Sequence, residues 1–158
     1  MHSFFIRIIV LKNRFYKYFI PALLIAILPF AGKTSFIGSK PAGNIIFIEN
    51  SWDEALKQAR EQHKYIFVDA YTSWCGPCMM LKRQTFNNKK AADFFNTNFI
   101  NLSLDIEKGA GPQFAALWQI KSIPTLIIFD AKGKPVLGTV GFINADDLIR
   151  FGKQALSK

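Results

Sequence analysis

Cysteine is scarce in this chain: its 158 residues include two, Cys75 and Cys78, and none near the N-terminus. That excludes the disulfide framework that staples small secreted domains, and it excludes a lipid-modified N-terminal cysteine. Histidine is nearly as rare. Only His63 lies in the folded part of the chain, too little beside two thiols for a structural zinc, which takes four ligands, so no metal is expected. No internal repeat or low-complexity segment occurs, and no dense basic run is interleaved with aromatics, so nucleic acid is not an expected partner.

Acidic residues are missing altogether from residues 1–44, which carry six Lys/Arg, so that segment supplies +6 of the formal charge of +9. From Ile45 onward 14 basic and 11 acidic residues leave only +3. Arg7, Lys12, Arg14 and Lys17 precede 15 uncharged, mostly apolar residues from Tyr18 to Gly32, the layout of an export signal. As a helix that run would rise roughly 22 Å, short of the roughly 30 Å hydrocarbon core, and Pro21 and Pro29 weaken it further as a span. Residues 1–32 are therefore read as an N-terminal export signal or, if uncleaved, a membrane anchor, in preference to a buried helix of the domain. The chain would touch a membrane only through this segment. Lys33 to Asn44 is rich in Gly, Pro, Ser and Lys and reads as a linker.

Half of the residues are hydrophobic and 15% aromatic, enough for one real core over residues 45–158. Ile45 to Ile48 suits a short strand, and Ser51-Trp-Asp-Glu54 has the form of a capping box for a helix to about Gln62, with Trp52, Ala55, Leu56 and Ala59 on its apolar face. His63, at the end of that helix, reads as a surface residue. Tyr65 to Tyr71 has the composition of a buried central strand. A helix that begins at the cysteines continues through Met79, Met80, Leu81 and Lys82, another helical stretch runs from Asn87 to Asn96, and a strand follows from Phe99 to Asp105. Gly111 to Trp118 reads as a helix with Phe114, Leu117 and Trp118 inward. Thr125–Phe129 and Val136–Val140 form a hairpin, and Asn144 caps a last helix to about Leu156. The order is β-α-β-α-α-β-α-β-β-α.

The stretch Asp69-Ala-Tyr-Thr-Ser-Trp74-Cys75-Gly76-Pro77-Cys78 ends the central strand and starts a helix. Thiols at i and i+3 lie on one helix face, close enough to form a small ring, so the spacing points to reversible oxidation and a dithiol-disulfide oxidoreductase. Asp69 interrupts the apolar strand. A carboxyl there is costly if it stays charged and unpaired, so either the strand is an edge strand that lets Asp69 reach solvent, or the acid has a chemical task.

Trp74-Cys-Gly-Pro-Cys78, an aspartate six residues before the first cysteine, and Ile123-Pro124-Thr125 ahead of a strand and hairpin together resemble the thioredoxin family over about residues 45–157. Thr85-Phe86 and Gly141-Phe142 are similar to the periplasmic thioredoxin-like domain of transmembrane disulfide reductases. The resemblance implies an α/β thioredoxin fold, a central mixed β-sheet flanked by helices. It also implies a cis bond before Pro124 that turns the Ile123 backbone toward the cysteines; an ordinary trans proline at a strand start is the alternative. Trp74, Gly76, Pro77, Ile123 and Pro124 would form the substrate-binding surface. Two departures stand out: Asn101 and Tyr71 occupy positions where cytosolic thioredoxins carry a lysine and a tryptophan.

At a helix start, unpaired N–H groups favour a thiolate, so Cys75 is the expected nucleophile, Cys78 the resolving thiol, and Asp69 the acceptor of the Cys78 proton. The Gly-Pro pair resembles that of reducing family members. The expected activity is extracytoplasmic reduction of protein disulfides, without a cofactor, fed by a membrane-linked electron donor. An oxidase or isomerase of secreted proteins, or a non-catalytic binding module on the same fold, are the alternatives.

Overall fold

The computed structural model describes residues 43–158, so the expected export signal or anchor and all but the end of the expected linker lie outside the described residues. Among the described residues no helix is long and apolar enough to cross a membrane. The β-branched and aromatic run Tyr65–Tyr71 forms strand β2, buried at every position from Ile66 to Ala70. It lies at the centre of a five-stranded sheet of order β1-β3-β2-β4-β5, where β1 is Ile48–Glu49, β3 Phe99–Asp105, β4 Thr125–Phe129 and β5 Pro135–Val140. β1 and β2 both run parallel to β3, whereas β4 is antiparallel to β2 and to β5. Asp69 is thus in the middle of the sheet, and the edge-strand alternative falls.

Among the described residues five helices cover the sheet: α1 (Trp52–Gln62), α2 (Gly76–Met80), α3 (Lys89–Asn98), α4 (Gly111–Leu117) and α5 (Ala145–Leu156). Alternate residues of a strand point to opposite faces, and the core divides accordingly. On one face Phe67, Leu126 and Ile128 meet Leu81, Phe86, Ala91, Phe95, Leu148 and Phe151 from the α2, α3 and α5 side. On the other, Ile66, Val68, Leu102 and Leu104 meet Ala55 and Ala59 of α1 and Phe114 of α4. Each large apolar side chain so buried contributes roughly 1.5–3 kcal/mol. Beyond Phe99, which joins the first core, β3 is apolar toward the second face only. Its other face carries Asn101, Ser103 and Asp105, all buried, so β3 brings a polar column under the side of the sheet that Asp69 faces.

α2 does not end at Met80 but continues through a π-helical turn, Leu81–Thr85, whose wide bond runs from the Phe86 N–H to the Leu81 carbonyl at 2.9 Å. The extra residue re-aims the side chains that follow. The Thr85 hydroxyl donates to the Ile143 carbonyl at 2.7 Å, tying this turn to the loop after β5.

The structure departs from the sequence reading in three places. β1 is two residues long and begins at Ile48, because Ile45 is used for packing, with its N–H on the Phe86 carbonyl at 2.9 Å. Ser51 precedes α1, yet its side chain makes no capping hydrogen bond, and Glu54 instead accepts from the Gln58 amide one turn on. Leu117 is 69% exposed: Phe114 and Trp118, four apart, take the inward face of the short α4. The Asn144 cap is present, accepting from the Asp147 N–H, and His63 is exposed at the left-handed end of α1. Gly111 meets a packing requirement, since a Cβ there would sit 2.0 Å from the Asp105 carbonyl oxygen.

Candidate active site

β2 delivers the chain to one end of the sheet, and the loop from Thr72 turns it into α2. Cys75 caps that helix: its Sγ accepts from the Cys78 N–H at 3.2 Å, and Pro77, which has no N–H to satisfy, sits in the first turn. The two sulfurs are bonded, 2.03 Å apart with Cα atoms 5.3 Å apart. Both cysteines are buried, Cys75 3% and Cys78 1% exposed. Around them Trp74, Gly76 and Pro77 are exposed, and the Trp74 indole N–H donates to the Glu107 carboxylate at 2.9 Å. Met79 and Met80 are exposed on the same helix and belong to the rim.

The peptide bond between Ile123 and Pro124 is cis. In the β2–β4 register Thr125 lies opposite Ala70, which places Pro124 beside Tyr71, at the sheet end from which the cysteine loop departs. The Pro124 carbonyl accepts from the Gly141 N–H at 2.8 Å, and Gly141 has φ +95°, a conformation that glycine adopts without strain. Thr85, Gly141 and Pro124 therefore converge on one loop system beside α2, although they are far apart in sequence.

Asp69 shares its face of β2 with Phe67, which packs with Leu81 just beyond α2, so the carboxyl lies beneath the active-site helix. It is fully buried, and neither oxygen has a hydrogen-bond partner among the described residues. Burial pushes its pKa up from 3.8 to about 7; the Lys82 ammonium lowers it, and Glu49 raises it to a smaller extent. A buried carboxyl tuned in this way takes and gives up a proton near neutrality.

The structure thus gathers Cys75, Cys78, Asp69, Trp74, Gly76, Pro77, Ile123 and Pro124 at one end of the sheet. Asn101 stays clear of Asp69's ladder position: its amide donates to the Ile46 carbonyl and to Asn96. The nearby positive charge comes instead from Lys82, whose Nζ lies 3.5 Å from the centre of the Tyr71 ring. Sequence reasoning missed Lys82, Glu49 and Glu107. A lysine four residues after Cys78, one helical turn on, was the available signal for the first, and the other two depend on long-range register.

Residues 52–156 match the family model of a thioredoxin-like domain. The thiol:disulfide interchange protein DsbD of Pseudoalteromonas atlantica is 26% identical over 133 residues, 79% of this chain and 22% of that protein, so the chain spans about a fifth of its length. Thioredoxin of Staphylococcus aureus is 40% identical over 81 residues, 51% of this chain and 72% of that protein. A candidate disulphide-isomerase from Bacteroides thetaiotaomicron, known from its solution structure, superposes with a TM-score of 0.66 at 37% identity, over 75% of this chain and 98% of the other.

Proposed function

The chain belongs to the thioredoxin-like family, and on that premise we propose that it is an extracytoplasmic protein-disulfide reductase. The observation that carries the reading is the Cys75–Cys78 disulfide at a helix start above a fully buried Asp69 whose carboxyl has no hydrogen-bond partner among the described residues. In the reduced protein the Cys75 thiolate attacks one sulfur of a substrate disulfide; the Cys75–substrate bond forms, and the first substrate thiolate leaves. Asp69 takes the proton of Cys78, whose thiolate attacks the Cys75 sulfur. The Cys75–Cys78 bond forms and the second substrate sulfur is released. The substrate has gained two electrons and the protein has lost them. An extended substrate segment pairs with the backbone at Ile123, beside the cis-Pro124, while Trp74, Gly76 and Pro77 supply the remaining contact surface.

Export is supported by the charge pattern of residues 1–32. Beyond the cytoplasmic membrane the site has no direct access to cytosolic reductant, so a membrane-linked dithiol donor returns it to the reduced state. With purified protein and dithiothreitol, insulin disulfide reduction should accelerate, and Cys75→Ser should abolish the effect; a Cys75→Ser protein that behaves like wild type overturns the reading. A second reading, isomerase or oxidase, is favoured by the likeness to the Bacteroides protein. The reduction potential separates the two: a value near that of thioredoxin, about −270 mV, supports reduction, and one near about −180 to −120 mV supports the alternative.

A further inference from the structure

The β-ladder aligns three polar residues in one row. Glu49 of β1 pairs with Ser103 of β3, and Ser103 pairs with Asp69 of β2. Paired residues of neighbouring strands point to the same face, so the three side chains stand side by side, with backbones roughly 5 Å apart from strand to strand. The row runs from exposed to fully buried: Glu49 is at the open edge of the sheet, whereas Ser103 and Asp69 are buried, with polar atoms that have no partner among the described residues. A cavity of about 330 Å³ lies at its outer end, with Glu49, Ser103, Lys82, Phe47 and Phe86 in its lining. Lys82 overhangs the row from the π-helical turn, held against the ring of Tyr71, which shares the Asp69 face.

We propose that Asp69 is governed by two opposed positioning charges reached from the open edge of the sheet: Glu49, at the outer end of the row Glu49–Ser103–Asp69, and Lys82, on the π-helical turn above it. The π turn is what permits the second charge, because it changes the direction of the side chains immediately after α2. Neither side chain hydrogen-bonds to the cysteines among the described residues; the Cys75 sulfur accepts from the Cys78 N–H. Glu49 holds the Asp69 proton on and Lys82 draws it off, matching the directions in which they act on its ionisation. The other groups on this face are Tyr71 on β2 and Asp105 on β3, two positions past Ser103, while β4 presents only Leu126 opposite Asp69. The cysteines of α2 do not titrate while they are disulfide-bonded.

The inference deepens the proposed proton role of Asp69 and rests on that reading for its meaning in turnover, but its test needs no thiol. In the oxidised full-length protein, labelled with ¹³C at aspartate carboxyls, the Asp69 resonance is followed by NMR as a function of pH in wild type, Glu49→Gln, Lys82→Met and the double variant. Glu49→Gln should lower the Asp69 midpoint and Lys82→Met should raise it, each on the order of half a pH unit for a charge about 10 Å away or less that is partly screened by solvent. The double variant should fall between the two single variants. Glu49 is exposed and Lys82 only half-buried, so all three variants should fold. A merely structural role would not give shifts of opposite sign that offset each other in the double variant. Midpoints that stay in place, or move in the same direction, overturn the proposal. Insulin reduction measured on the same samples keeps the two questions apart: inactivity with opposed shifts refutes the reductase and leaves the charge pair standing, whereas activity with unmoved midpoints does the reverse.

Discussion

Replacing Asp69 by asparagine removes a fully buried ionisable group while keeping its shape. In the folded protein the carboxyl binds its proton up to about pH 7, whereas in the unfolded chain it releases it near 3.8. Between those values the folded state holds more protons than the unfolded one, so stability falls as pH rises. The stabilisation is complete below 3.8, is lost on passing through about 7, and changes no further above it. At about 1.4 kcal/mol per pH unit the whole interval is worth roughly 4 kcal/mol, and the part between pH 5 and pH 9 roughly 3 kcal/mol. The asparagine amide carries its own burial cost, but that cost does not vary with pH, so the slope is the quantity to read. Urea unfolding of the oxidised protein, in which the thiols cannot titrate, should show wild type losing roughly 3 kcal/mol relative to D69N between pH 5 and pH 9. With m of about 1–3 kcal/mol/M, that is a relative displacement of the midpoint by roughly 1–3 M urea. Parallel profiles for the two proteins, within about 0.5 kcal/mol, would refute the assignment of a raised, burial-driven Asp69.

Two further changes read other parts of the structure. Gly111→Ala puts a Cβ 2.0 Å from the Asp105 carbonyl oxygen and 2.8 Å from the Ile106 Cα, backbone atoms that cannot swing aside, so the protein should lose about 3 kcal/mol or more in a denaturant titration. Cys78→Ser leaves Cys75 without its resolving partner; after incubation with a disulfide substrate it should accumulate a covalent adduct, seen on a non-reducing gel and removed by dithiothreitol, while the wild-type protein shows little.

Much of the site was legible in the sequence because its signals are local. Two thiols three apart, a proline in the first helical turn and one acid in an apolar strand can each be read from a few neighbouring residues. The order of elements came from hydrophobic period and turn residues in the same way. What stayed hidden depends on register. Nothing around Glu49 indicates that β1 will pair it with Ser103, or that Ser103 will stand beside Asp69. The position of β1 was misplaced for a related reason, since Ile45 bonds to Phe86, which is 41 residues away. The Ser51 box failed because Glu54 found a partner in Gln58 on its own helix, an exchange of one surface hydrogen bond for another worth about 1 kcal/mol or less. The apolar pattern of α4 is too short to fix the helix face: Phe114 and Trp118 point inward as expected, but Leu117 does not.

The position of Asp69 on the pH scale connects its cost to its use. A proton moved from an ordinary thiol, with a pKa of about 8.5, to an ordinary carboxylate climbs almost five pH units, roughly 6 kcal/mol, and such a carboxylate would be a poor base for Cys78. With the carboxyl raised from 3.8 to about 7 the gap shrinks to about 1.5 units, roughly 2 kcal/mol, and the base still empties again near neutral pH. Burial supplies nearly all of this change. Glu49 and Lys82 pull in opposite directions, Lys82 the more strongly, so the burial-set value is adjustable from the sheet edge. The roughly 4 kcal/mol of stability that wild type loses relative to D69N as pH rises from below 3.8 to above about 7 and the roughly 4 kcal/mol by which proton transfer from Cys78 is eased are therefore the same quantity, measured once in folding and once in chemistry.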